Sequence, residues 1–288
     1  MTPTVYIVVG PTAVGKTKYA IDLAKRLQTE IISADARQCY QELIIGVARP
    51  SLEELNSVPH HFIASHSIQE NLNAGIFEQY ALAKTNDLLA KFGSVVMVGG
   101  TGLYIKAFVE GMDQIPTIDP SVRIKIQQDL SIKGIDWLQS QVKALDPDYW
   151  AIADQGEQHN TQRLSRALEV MIGTGQSILS FQQQTKKLRS FNIQKIGLEM
   201  PREQLYSRIN HRVHEMVEMG LEEEVKALRT QFHLNALQTV GYQEWLAYFE
   251  GHQSKADVIK AIQQHTRHYA KRQMTWFKKD AEIKWEQA

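Results

Sequence analysis

The chain has 288 residues, 32 Lys and Arg balanced by 32 Asp and Glu, and 43% hydrophobic residues. That length makes one large or two modest domains, and zero net charge means that any nucleic-acid binding must use a local patch rather than a global field. The single cysteine, Cys39, excludes an internal disulfide and a cysteine zinc site and fits a reducing cytosol, and no apolar run approaches the roughly 18 residues of a membrane span.

The chain runs directly into an apolar stretch, Val5 to Val9, without the charged and apolar regions of a signal peptide. This stretch predicts a strand buried on both faces. Gly10-Pro11-Thr12-Ala13-Val14-Gly15-Lys16-Thr17 follows, and then Tyr19, Ala20, Leu23, Ala24 and Leu27 recur at helical spacing over 17–27. Strand, G-x-x-x-x-G-K-[ST] and helix in that order make a phosphate loop. Gly10 and Gly15 lack a Cβ, so the chain can wrap closely around an anion. Successive N–H groups and the helix N-terminus then face it. Lys16 adds a full charge and Thr17 a hydroxyl for Mg²⁺. The ligand class is a di- or triphosphate, and the octet leaves open whether it is ATP.

Residues Glu30 to Ala34 predict a second strand, ending at Asp35. An amphipathic helix follows over 74–91. Ser94 to Val98 predicts a third strand, ending in Gly99-Gly100-Thr101-Gly102. Alternating strands and helices imply a parallel, doubly wound α/β sheet with its ligand at the carboxyl ends of the strands. Thr12, Asp35 and Thr101 should therefore converge on one mouth. From Ser121 to about Phe181 the pattern is helical, broken at Asp146-Pro147 and at Gly173 and Gly175. Ile193 to Met200 predicts a returning strand. Pro201 to Met219 predicts a helix with Leu205, Ile209, Val213 and Val217 on one face and Gly220 at its end. Ser254 to Lys278 predicts another long helix. The expected architecture is a phosphate-loop NTPase-like parallel sheet core, residues 1–112 and 191–288, carrying a helical insertion over 113–190.

Most phosphate-loop NTPases hold Mg²⁺ and water with a second acid that closes an apolar strand. Here the strand SVVMV ends in glycines, and the only acid at a strand end is Asp35. That carboxylate can take a proton from a nucleophile or hold water on Mg²⁺, and the residues alone leave both open. The C-terminal helix carries Arg267, His268, Lys271, Arg272, Lys278 and Lys279 among Tyr269, Trp276 and Phe277, with no acid between Asp257 and Asp280. Such a stripe can track a phosphate backbone; the plain alternative is a solvated helix face. Lys186, Lys187 and Arg189 form a second basic cluster at the end of the insertion.

The segments GPTAVGKT, ISADARQCY, IGVARP with VPHHF, VGGTGLY and QRLSRALEV together resemble the tRNA dimethylallyltransferases (tRNA isopentenyltransferases). They occur in that family's order over essentially the whole chain. The resemblance implies transfer of a dimethylallyl group from dimethylallyl diphosphate to the N6 amine of the adenosine 3′ of the tRNA anticodon, forming N6-isopentenyladenosine. It implies that the phosphate loop, Gly10 to Thr17, holds the donor diphosphate rather than ATP, with Mg²⁺ on Thr17. Thr12, Lys16 and Arg208 would serve the departing diphosphate, and Asp35 would be the general base. Arg208 competes with Arg202 and Arg212, and with the plain reading of a solvated face. The resemblance implies tRNA contacts at Asp35, Ala36, Arg37 and Gln38, at Thr101 and Arg123, and at His159, Asn160, Thr161, Gln162, Arg163 and Arg166. Lys271 and Arg272 join these from the basic stripe.

The sequence departs from the family in three places: Ala36 stands where Ser is common, and Gly46-Val47-Ala48-Arg49-Pro50 replaces G-T-A-K-P. These bear on a contact to RNA or diphosphate, not on the reaction class. Without a cysteine zinc finger after the core, the chain resembles the bacterial members, and a cytoplasmic monomer is expected. His60, His61 and His66 lack a completing acid or cysteine, so no metal is expected there, and Cys39 is expected to be buried. Three rival functions are prenylation of free AMP or ADP, an ATP-dependent small-molecule kinase, and a non-enzymatic RNA-binding protein.

Overall fold

A computed structural model of the chain describes residues 2–182 and 186–288. Six strands form one parallel sheet: β1 (Thr4–Val9), β2 (Ile31–Ser33), β3 (His60–His61), β4 (Ser94–Val98), β5 (Asn192–Glu199) and β6 (Ile283–Gln287), in the spatial order β3-β2-β4-β1-β5-β6. β1 is central, with β4 on one side and β5 on the other. The strand order reverses at this point, which is where such sheets bind ligands. The register pairs Val8 with Val98, Val9 with Gly197 and Ser33 with Val98, so the loops after β1, β2 and β4 emerge side by side.

The helices of this unit are α1 (Lys16–Leu27), α2 (Leu52–Ser57), α3 (Ala74–Phe92) and α4 (Gly102–Glu110). The ends of α1 and α3 have local causes. α1 starts after Gly15, whose φ of 109° no branched residue would hold, and ends with Lys25 and Arg26 against its negative dipole end. Asn73 caps α3 by accepting from the Ile76 N–H, and Gly93 ends it in the left-handed conformation. Buried Val8, Val14, Ala20, Leu23, Ile31, Val96, Val98, Leu198, Leu205 and Ile209 form the core between sheet and helices. α2, α4, β3 and β6 are too short or too irregular in pattern to stand out in the sequence.

The chain divides into two compact units. The first comprises Met1–Gly111 with Lys187–Ala288, the second Met112–Lys186. The second unit contains α5 (Pro120–Leu145), α6 (Pro147–Ile152), α7 (Gln155–Gln158) and α8 (Thr161–Thr174) around Leu138, Val142, Leu164, Ala167 and Leu168. Asp146, almost fully buried, breaks α5 from α6 by accepting from the Tyr149 N–H at 3.1 Å and the Ser177 hydroxyl at 2.9 Å. Gly175 ends α8 at φ 71°. Gly173 does not break the helix, as the sequence suggested. A Cβ there would lie 2.5 Å from Ile118 Cγ2, so glycine allows close packing inside α8. Part of the expected insertion, 183–185, lies outside the described residues. Lys187 and Arg189 belong to the first unit, where both pair with Glu78, at 3.6 and 3.0 Å.

The first unit is completed by α9 (Arg202–Glu218), α10 (Leu221–Ala227), α11 (Leu246–Phe249) and α12 (Lys255–Phe277). α12 opens on a capping box between Ser254 and Asp257. Gly220, at φ 99°, turns the chain from α9 into α10. Among the described residues, no helix is long and apolar enough to cross a membrane.

Candidate active site

The loops at the carboxyl ends of β1, β2 and β4 line a cleft of about 680 Å³ in the first unit, closed by α9, α12 and residues 44–55. The phosphate loop forms its floor. Gly10, at φ 146°, lies so close to β5 that a Cβ would sit 2.6 Å from the Leu198 carbonyl oxygen. Ala13 also adopts a positive φ, 65°, and Gly15 one of 109°. Lys16 Nζ donates to the Gly10 and Pro11 carbonyls at 3.0 and 2.8 Å. Burial pulls its pKa down to about 8; Asp35 opposes that shift and Arg212 adds to it. Thr12 and Thr17 line the same cleft.

Asp35 follows β2 and faces this floor. Its Oδ1 accepts from the Arg37 and Gln38 N–H groups at 2.9 and 3.2 Å. Among the described residues Oδ2 has no hydrogen-bond partner, so one oxygen orients the carboxylate and the other stays available. The turn-capping bonds and the available oxygen therefore lie on different atoms of Asp35. Thr101 Oγ1 accepts from the Ala36 N–H at 3.0 Å, which ties the β2 and β4 loops together.

The glycines where an acid would otherwise close β4 have a packing reason. A Cβ on Gly99 would sit 2.1 Å from the Ala34 oxygen, on Gly100 2.2 Å from Gln273 Nε2, and on Gly102 2.2 Å from the Trp276 indole nitrogen. Gln273, buried on α12, accepts from the Thr12 N–H at 2.8 Å and donates to the Gly100 carbonyl at 2.9 Å. It thus joins two loops of the site from the C-terminal helix. No motif marked it, because its partners lie more than 170 residues away.

From α9, Arg208 and Arg212 both line the cleft. Arg208 NH2 lies 3.8 Å from where a Cβ on Gly15 would be. Burial and the neighbouring Arg208 lower the Arg212 pKa, so the two guanidinium groups form one compressed cationic patch. Arg202 lies instead over the Tyr206 ring, 5.0 Å from its centroid. Ile44, Ile45, Val47, Pro50, Leu55, Ile63 and Met216 give the remaining wall an apolar surface, flanked by Gln38, Arg49, Ser51, Glu54, His60 and Glu215.

Several sequence-assigned RNA contacts are engaged within the chain. Arg37 NH1 donates to the Asn235 carbonyl at 3.0 Å, and Gln38 Nε2 to the Val47 and Ala48 carbonyls at 3.2 and 2.9 Å. Arg49 NH2 donates to the carbonyls of Tyr40, Gln41 and Leu43 at 2.7, 2.9 and 2.6 Å. The departure at 49 thus anchors a loop, and the departure at 47 puts a methyl on the cleft wall. In the second unit Arg123 and Arg166 both pair with the buried Glu169, each at 2.9 Å. Asn160 caps α8 by accepting from the Gln162 and Arg163 N–H groups, both at 3.1 Å. Thr161 opens that helix. Arg163 pairs with Glu157, and exposed His159 faces the Gln155 carbonyl at 2.8 Å.

His268, Lys271, Arg272 and Trp276 on α12 share a shallow groove of about 430 Å³ with Lys279 just beyond its end. The other members of the sequence stripe point elsewhere. Arg267 donates to Asn210 Oδ1 at 2.7 Å, and Lys278 pairs with Glu199 at 2.6 Å. The three histidines have separate partners: Val58 O for His60, Glu30 for His61 and Ser65 for His66. Cys39 is buried, and burial pushes its thiol up to about 12.

The IPP transferase family model matches residues 38–280. The chain is 44% identical over 281 residues to the tRNA dimethylallyltransferase of Cytophaga hutchinsonii, covering 98% of this chain and 91% of the relative. It is 48% identical over 278 residues to that of Christiangramia forsetii, covering 96% and 91%. Among solved structures, the tRNA isopentenylpyrophosphate transferase of Bacillus halodurans superposes with a TM-score of 0.71 at 34% identity, covering 99% of this chain and 90% of that one. A eukaryotic dimethylallyltransferase acting on tRNA shares the fold, with a TM-score of 0.79 at 23% identity over 99% and 74% of the two chains. A phosphate loop, a single strand-end carboxylate and these full-length likenesses lead to one conclusion: the chain belongs to the IPP transferase family.

Proposed function

We propose that this chain transfers a dimethylallyl group from dimethylallyl diphosphate to the N6 amine of the adenosine 3′ of the anticodon in tRNA, acting as a cytoplasmic monomer. The observation that carries this reading is one cleft holding both a phosphate loop and an apolar wall. The loop suits a diphosphate, and the aliphatic surface beside it suits the hydrocarbon that a dimethylallyl donor carries. The donor's diphosphate lies in the loop, under Lys16, Arg208 and Arg212, and its hydrocarbon lies along the wall.

As the allylic C–O bond breaks, the leaving diphosphate takes the electron pair. Lys16, the guanidinium pair and the N-terminal N–H groups of α1 face that charge where it grows. The adenine amine attacks the allylic carbon and forms the new C–N bond. Its proton passes to Asp35 Oδ2, while the two backbone bonds on Oδ1 hold the carboxylate in place. The Thr17 hydroxyl is an oxygen donor in the same cleft and would hold Mg²⁺, with water completing its shell. When bound, that ion supplies further charge neutralisation at the diphosphate. The target base leaves its stack to reach the cleft. The α12 groove, with Lys271 and Arg272, and in the second unit Arg123, Arg166 and the N-terminus of α8, offer cations and donors to the RNA backbone.

Incubation with labelled dimethylallyl diphosphate, Mg²⁺ and either unmodified tRNA or AMP tests the reading. Label should enter tRNA. Label entering neither acceptor overturns the assignment, and label entering AMP alone replaces it with mononucleotide prenylation.

A further inference from the structure

Residues 44–49 form one wall of the cleft, and their backbone is gripped from behind. The Glu224 carboxylate, on α10, accepts from the N–H groups of Ile44 and Ile45 on Oε2, at 3.2 and 2.8 Å, and from Gly46 on Oε1, at 3.0 Å. The Tyr242 hydroxyl donates to the same Oε1 at 2.6 Å. Tyr242 is fully buried, and its ring fills the space beside Gly46, where a Cβ would come within 2.5 Å of it. On the carbonyl side, Gln38 holds Val47 and Ala48. The Ala48 and Arg49 N–H groups close back onto the Ile45 and Ile44 carbonyls at 2.9 and 3.1 Å.

A wall whose backbone groups are engaged in this way cannot read the edge of a base, which requires donors and acceptors. Ile44, Ile45, Val47, Ala48 and Arg49 of this wall line the cleft, and because the Arg49 guanidinium is engaged by the Tyr40, Gln41 and Leu43 carbonyls, the surface offered is mainly aliphatic. Such a surface recognises hydrocarbon, and it does so by volume and apolar area. A backbone held at consecutive N–H groups cannot retreat to admit a longer chain.

We propose that Glu224 and Tyr242 are positioning residues that fix the Ile44–Val47 wall as the gauge of prenyl chain length, an inference that rests on the prenyl transfer proposed above. Neither residue touches the reacting atoms. They act through the wall, so their loss changes which donor is accepted rather than how the proton moves.

The test compares kcat/KM for dimethylallyl diphosphate and for geranyl diphosphate, with tRNA as acceptor, in the wild type and in Glu224→Gln, Tyr242→Phe and Val47→Ala. Glu224→Gln places an amide donor against backbone donors and loosens the wall. The preference for the five-carbon over the ten-carbon donor should fall roughly tenfold, a typical value for hydrocarbon misfit in an apolar pocket. The change should appear as a higher KM for dimethylallyl diphosphate, with KM for tRNA within about twofold of wild type. Tyr242→Phe removes one hydrogen bond and should shift the preference less, in the same direction. Val47→Ala widens the wall without touching Glu224 and should act likewise, so the inference stays decidable if Glu224→Gln does not fold. An unchanged preference in the folded variants, or a rise confined to KM for tRNA, overturns the proposal. A wild type that transfers from neither diphosphate overturns the transfer reading, and this inference with it.

Discussion

Replacing Gln273 by Met keeps the length and most of the volume of the side chain but removes both of its polar contacts. In the native protein those contacts are the Thr12 N–H at 2.8 Å and the Gly100 carbonyl at 2.9 Å, around a side chain that is only 6% exposed. Each buried group left unpaired costs about 1–3 kcal/mol. Allowing for partial relaxation, Gln273→Met should lose about 2–4 kcal/mol of stability. At about 2–4 °C per kcal/mol for a chain of this size, the melting temperature should fall by about 4–16 °C. The phosphate loop loses its tie to α12, so KM for the donor should rise with the loss of stability. Gly100→Ala attacks the same contact from the other side, since its Cβ would lie 2.2 Å from Gln273 Nε2. The two substitutions should therefore not add, and the double variant should melt close to the worse single one. Thermal unfolding followed by circular dichroism, with donor KM measured in parallel, decides the matter. A Gln273→Met protein that melts within about 1 °C of wild type, or a fully additive double variant, would refute the reasoning.

Asp35→Asn keeps an oxygen to accept from the Arg37 and Gln38 N–H groups but loses the basic carboxylate. Single-turnover transfer should drop by about 10²–10⁴-fold while tRNA binding stays within severalfold, and binding lost in step with transfer would assign Asp35 to recognition instead. Lys16 binds diphosphate in its protonated form, and burial holds its pKa near about 8 in the free protein. Binding the anion raises that pKa, so the complex takes up a proton above about pH 8. The donor Kd, followed by calorimetry, should be flat with pH below that point as far as this group is concerned and should weaken as pH rises through it. The same profile in Lys16→Ala would exclude Lys16 as its source. Lys271→Ala and Arg272→Ala should each weaken tRNA binding and each reduce the slope of log K against log salt by about 1. An unchanged slope would remove the α12 groove from the RNA path.

The sequence by itself determined the parts of this protein that short-range chemistry controls. The octet at Gly10 to Thr17 follows a β-branched run and precedes a helical period, so its strand–loop–helix geometry is local and readable. The positions of Asp35 and Thr101 just after strands, the parallel alternation and the helical stretch from Ser121 onward are local in the same sense. Only the tertiary structure decided the rest. Arg208 and Arg212 enter the cleft together while Arg202 covers Tyr206, because helix rotation against the sheet sets which guanidinium points inward. Two of the six basic residues in the apparently uniform C-terminal stripe, Arg267 and Lys278, turn out to serve Asn210 and Glu199. Gly99, Gly100 and Gly102 stand where an acid might have been because neighbouring chain segments press within 2.1–2.2 Å of their missing Cβ atoms. Gln273 and Glu224 carry no local signal at all. Their partners lie 261 and about 180 residues away, and only packing, which sequence periodicity does not describe, brings them to the phosphate loop and to the apolar wall.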